Sequence, residues 1–148
     1  MKRYDEWTKY EHRLYKEWSQ YGKIIIAVDF DDTISPWKFK DEEDLRAIRS
    51  TIDLLSVAKQ TGAYIVVFTA CNEDRYAEIR EYCKSVGLEI DSINTNPIDL
   101  PYGNNAKIYA NIFIDDRAGI NQALATLEDV MYRVRTDKNK LNIETWLL

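Results

Sequence analysis

The sequence predicts an α/β protein: a three-layer α/β/α sandwich around a mostly parallel sheet of about five strands, preceded by an extra N-terminal helix. Three observations lead there. Two unbroken apolar runs rich in β-branched residues, "KIIIAVDF" and "AYIVVFTA", have the length of strands buried on both faces. Amphipathic segments alternate with such runs, and strands alternating with helices pair in parallel through right-handed crossovers. The chain has 148 residues, 45% of them hydrophobic, enough for one ordinary domain with its own core.

Each element follows from its local pattern. In residues 1–21, Tyr4, Trp7, Tyr10, Leu14, Trp18 and Tyr21 recur at three- and four-residue steps among Lys, Arg and Glu, which makes an amphipathic aromatic helix. Its stripe is a packing face, turned to the body of the protein or to a second subunit, so a homo-oligomer through this helix is one expectation. His12 lies among charged residues and is given no role. Residues 22–148 form the core.

"KIIIAVDF" is the first strand, followed by a turn at "SPWKFK". "DEEDLRAIRSTIDLLSVAKQTG" is acidic at its start and closed by Gly62, the two signatures of helix ends. "AYIVVFTA" is the second strand. "NEDRYAEIREYCKSVG" is a helix with Asn72 as N-cap and Gly87 at its end, and "LEIDSIN" is a short third strand. Residues 95–106, rich in Pro, Asn and Gly, are loop. "YANIFIDD" is the fourth strand, "RAGINQALATLED" a helix, "VMYRVR" a fifth strand, and "LNIETWLL" an apolar tail without an assigned conformation.

Composition excludes several function classes. A net charge of −5, from 20 basic and 25 acidic residues, disfavours nonspecific binding to duplex nucleic acid, which depends on phosphate neutralisation. No N-terminal apolar region or membrane-length apolar run is present, so the expectation is a soluble, cytoplasmic protein without a membrane partner. Two isolated cysteines, Cys71 and Cys83, make neither a disulfide framework nor a zinc site and read as small core residues.

The strand ends carry the chemistry. In parallel sheets, ligands bind at the carboxyl ends of the strands, near the point where strand order reverses. Asp29 and Asp31 end the first strand, Thr69 the second, and Asp115 and Asp116 the fourth, so all five converge on one rim. Alternate residues of an extended strand share a face, which puts Asp29 and Asp31 on the same side. Carboxylates gathered this closely repel one another, and a hard divalent cation with oxygen ligands relieves the repulsion. Mg2+ fits best, bound by one or two carboxylates and completed by substrate phosphate. Phosphate esters resist an anionic nucleophile, so such a site also needs a cationic side chain. Lys107, upstream of Asp115, supplies one.

"DFDDT" after an apolar strand, "VVFT", a downstream lysine and "IFIDD" occur in the order of the four motifs of the haloacid dehalogenase superfamily, which residues 24 to about 126 resemble. The resemblance implies a Rossmann-like core and an Mg2+-dependent phosphatase. It makes Asp29 the nucleophile that takes the phosphoryl group, and Asp31 the acid that protonates the leaving oxygen and then activates water. Thr69 would hydrogen-bond the phosphoryl group and Lys107 would neutralise it. Asp115 and Asp116 would complete the metal site with Asp29 and the backbone carbonyl of Asp31. Asp32 stands where many members have glycine.

An EF-hand beginning at Asp29 fails, because its sixth position is Ile34 and its twelfth Lys40. A receiver domain would need an aspartate where Thr69 stands. The stretches 34–68 and 70–106 are consumed by the elements already read, which leaves no room for a cap domain. An open site can accept large substrates; the resemblance implies nucleotides, polynucleotide ends, sugar phosphates or phosphoproteins as classes, and a nucleotide or another small phosphorylated metabolite is the expectation. A polynucleotide 3′-phosphatase and a noncatalytic phosphoryl-binding module are the alternatives. Trp37, Lys38 and Arg75 are the candidate substrate contacts: Trp37 to stack a base, Lys38 and neighbouring Lys40 to meet phosphates, and Arg75 to meet an anionic group.

Overall fold

The computed structural model describes residues 1–38, 40–99 and 108–147, the last seven by backbone alone. Among these residues the protein is α/β, with four strands and four α-helices. They are α1 (Lys9–Tyr21), β1 (Ile24–Asp29), α2 (Glu42–Gln60), β2 (Ala63–Phe68), α3 (Tyr76–Ser85), β3 (Ser92–Ile93), β4 (Ile112–Ile114) and α4 (Ile120–Leu147). No helix among the described residues is long and apolar enough to cross a membrane.

The sheet is parallel throughout, in the order β3-β2-β1-β4. Strands β2 and β3 are laid down on one side of β1, and β4 returns to the other, so strand order reverses between β1 and β4. The β1–β2 register brings Asp29 opposite Phe68, and the β1–β4 register brings Val28 opposite Ile114. Short β4 is pinned at its start by Asn111, whose side-chain oxygen accepts from Ile25 N at 2.6 Å while its own N–H donates to Ile25 O at 2.8 Å. Ile24 to Val28 are all buried, as expected of a strand covered on both faces.

The helices form for local reasons. Thr8 caps α1 in a capping box with Glu11, and Asp41 caps α2 by accepting from Asp44 N at 2.8 Å. Leu14 and Trp18 of α1 turn inward and the helix packs on α4 and β1, while Tyr10 and Tyr21 of the same stripe face outward. At the end of α2, Gly62 has φ +107°, and a Cβ there would meet Gly22 O at 2.7 Å, so only glycine fits this close approach of two chain segments.

Two expectations are corrected. The segment 130–135 is not a fifth strand but the middle of α4. Leu127, Val130, Met131 and Val134 are the buried apolar positions, a spacing that only a helix puts on one face, and Tyr132 points to solvent. The tail at 141–147 continues the same helix. Asn72 does not cap α3 with its side chain: Glu73–Arg75 form a 3-10 turn first, and Arg75 precedes the α-helix proper.

Candidate active site

Asp29 is the last residue of β1, and Asp115 and Asp116 follow β4 immediately. The sheet therefore delivers three carboxylates to the point where strand order reverses. One oxygen from each lies within 4.8 Å of the others. Asp29 and Asp115 are partly buried, and Asp116 is exposed.

Thr33 ties the cluster together, although the sequence reading gives it no role. It is buried, its hydroxyl lies 3.1 Å from Asp29 Oδ2 and 3.2 Å from Asp116 Oδ1, and it accepts from Asp116 N at 3.1 Å. A hydroxyl has one proton, so it serves one carboxylate at a time. The remaining negative charge is uncompensated within the cluster. Burial, the hydrogen bond with Asp116 and the charges of Asp115 and Asp116 push the Asp29 carboxyl up to about 6, against the opposing pull of Thr33. Among the described residues no basic side chain pairs with these three carboxylates, and oxygen donors that repel one another in this way fit a hard divalent cation such as Mg2+.

Asp31 stands apart from this trio. It bridges to Ser35 in the turn after β1, and its carboxylate faces Arg75, with Nη1 at 4.0 Å from Oδ2. The Phe30 carbonyl collects the N–H groups of Thr33, Ile34 and Ser35, which wraps the chain tightly around the site. Tyr82 of α3 fastens this turn by donating to Ile34 O at 2.6 Å.

Asp32 lies with φ +61°, the left-handed region in which glycine is favoured and aspartate is tolerated. Its carboxylate is turned from the trio, accepting from Trp37 N at 3.0 Å and pairing with Lys40 Nζ at 3.1 Å. That pairing holds its carboxyl below the usual range, the Trp37 N–H contributing most, with Lys40 adding to it. Lys40 is thereby committed to Asp32 rather than left for a phosphate.

Thr69 follows β2 directly, one residue beyond the partner of Asp29. A second residue the sequence reading missed, Asn94, fixes it: Asn94 Oδ1 accepts from Thr69 N at 2.8 Å, and Asn94 Nδ2 donates to Thr69 O at 2.8 Å. The only sequence signal is an asparagine ending "LEIDSIN", here with φ +56°. The Thr69 hydroxyl accepts from Cys71 N at 3.3 Å.

Of the residues expected from the sequence to contact a substrate, Trp37 and Lys38 are exposed, and the Arg75 guanidinium lies 5.5 Å from the Trp37 ring centre. Lys107 lies outside the described residues. Cys83 is buried, and burial pushes its thiol up to about 11, which leaves it unreactive.

No family model and no curated protein matches the chain. A solved structure does: a conserved protein from Bacteroides thetaiotaomicron is 28% identical, with a TM-score of 0.52 over 66% of this chain and 78% of that one. The similarity extends the α/β fold to a second protein and brings no activity with it.

Proposed function

We propose that the chain is a capless, Mg2+-dependent phosphomonoester hydrolase of the haloacid dehalogenase type, a three-layer sandwich acting through an aspartyl-phosphate on Asp29. The observation that carries this reading is the meeting of Asp29 from β1 with Asp115 and Asp116 from β4, within 4.8 Å, at the carboxyl ends of the strands. The four ordered motifs give each residue its role.

Asp29, Asp115 and Asp116, with the backbone carbonyl of Asp31, would hold the ion. When bound, Mg2+ would neutralise the carboxylates and draw charge from the phosphoryl oxygens. An Asp29 oxygen forms the bond to phosphorus as the ester P–O bond breaks, and Asp31 gives its proton to the departing oxygen. Asp31 then takes a proton from water, whose oxygen attacks phosphorus and releases phosphate from Asp29. Thr69, its backbone locked by Asn94, presents its hydroxyl to the phosphoryl group, and Lys107 offsets the charge there. Thr33 orients Asp29 against Asp116.

The test is release of p-nitrophenol from its phosphate by the full chain. Turnover should require Mg2+, stop with chelator, and be lost in Asp29→Asn. Absence of Mg2+-dependent turnover by pure protein overturns the reading.

A further inference from the structure

Resting on that reading, we infer that Trp37 and Arg75 form a clamp for a nucleoside monophosphate, the exposed indole stacking its base and the guanidinium beside it meeting its polar groups, so that free nucleoside monophosphates are the preferred substrates. A single exposed aromatic on a surface is ordinary. Trp37 differs because it is 56% exposed and yet held in place from both sides.

Its backbone N–H is bound by Asp32, the neighbour of Asp31, and Asp32 is itself held by Lys40. The backbone that carries the indole is thereby fixed to the turn that bears Asp31. On the other side, Arg75 sits with Cζ 5.5 Å from the ring centre and Nη1 4.0 Å from Asp31 Oδ2. One guanidinium thus lies beside both the indole and the Asp31 carboxylate.

The chemistry of both groups suits this ligand. Trp37 offers a π-face for stacking, which is tolerant of base identity. Arg75 pairs with Asp31 at 4.0 Å and with exposed Glu78 at 3.8 Å, both longer than a hydrogen bond, so its fork of donors is available to an anionic or polar ligand. A free mononucleotide is favoured over a polynucleotide because the chain carries a net charge of −5.

The experiment compares kcat/KM of the full chain with Mg2+ on adenosine 5′-monophosphate, adenosine 3′-monophosphate, ribose 5-phosphate and a 3′-phosphorylated oligonucleotide. A mononucleotide should be preferred to ribose 5-phosphate by about 10- to 100-fold, the range that base–aromatic stacking confers. In Trp37→Ala the ratio should fall to near one, chiefly through KM. A binding measurement runs alongside: adenosine 5′-monophosphate, but not ribose 5-phosphate, should quench tryptophan fluorescence in Asp29→Asn, and the quench should vanish when Trp37→Leu is added. Equal turnover of ribose 5-phosphate and both mononucleotides, an unchanged ratio in Trp37→Ala, or a preference for the oligonucleotide each overturns the clamp and leaves the phosphatase reading intact. If no ester turns over, the phosphatase reading fails, and the fluorescence titration still decides the clamp.

Discussion

Asp29→Asn should make the metal-free protein more stable while abolishing turnover. The Asp29 carboxyl rises from 3.8 to about 6 on folding, because burial and the neighbouring aspartates disfavour its charge. A group raised in this way holds a proton in the folded chain that the unfolded chain has released. Stability therefore falls as pH rises from about 4 through 6, and the full cost is present above that. A shift of roughly two pKa units corresponds to about 3 kcal/mol as an upper limit, and solvent access to the half-buried site reduces it to about 1–2 kcal/mol. Asparagine removes the charge and retains an oxygen that can accept from Thr33. For a chain of this size the gain corresponds to about 2–8 °C in Tm. The assay is thermal unfolding with chelator at pH 7.5 and at pH 4.5. The variant should melt higher at pH 7.5 and the difference should shrink at pH 4.5, where wild-type Asp29 is protonated. Adding Mg2+ should raise the wild type more than the variant. A variant no more stable at pH 7.5, or equally advantaged at both pH values, would refute the argument from charge repulsion.

Thr33→Val leaves Asp116 N without its acceptor, so it should cost about 1–3 kcal/mol in urea unfolding and weaken Mg2+ binding about tenfold by titration calorimetry, with Thr33→Ser close to wild type. At Asp32, with φ +61°, alanine loses the contacts to Trp37 and Lys40 and keeps the left-handed backbone. Asp32→Gly should therefore be about 1 kcal/mol more stable than Asp32→Ala, and equal stability would show that no backbone cost is stored there. Buried Glu11 is pulled down to about 2: burial opposes its charge, but hydrogen bonds from Thr8 and Lys2 prevail. Its contribution is full above about 4.5 and is lost as pH falls toward 2, so the destabilisation in Glu11→Gln, about 1–2 kcal/mol at pH 7, should shrink at pH 3.

Strands β1 and β2 were legible because a strand buried on both faces leaves an unbroken apolar run, and β4, though Phe113 is exposed, because its short apolar run leads straight into paired acids. The same logic erred at 130–135, where Val130, Met131, Tyr132 and Val134 make a short run of strand-like composition inside a helix. Extending the window back to Leu127 reveals the helical face. Asp29, Asp115 and Asp116 could be grouped from sequence because parallel pairing sends every strand end to one rim. Thr33 and Asn94 could not, since their importance lies in hydrogen bonds across segments remote in the chain, and nothing in their immediate neighbours marks those partners. The 4.0 Å ion pair between Arg75 and Asp31 likewise joins segments remote in the chain.

Strand β4 is three residues long and lies at the sheet margin, yet two of the three clustered acids hang from it. Only three residues pair it with β1, and the packing of α4 against it supplies the rest of its hold. A cation bound there would act as a clasp across that seam, fastening the margin to the strand beside it, and affinity for it would then double as a gauge of how firmly that edge is seated.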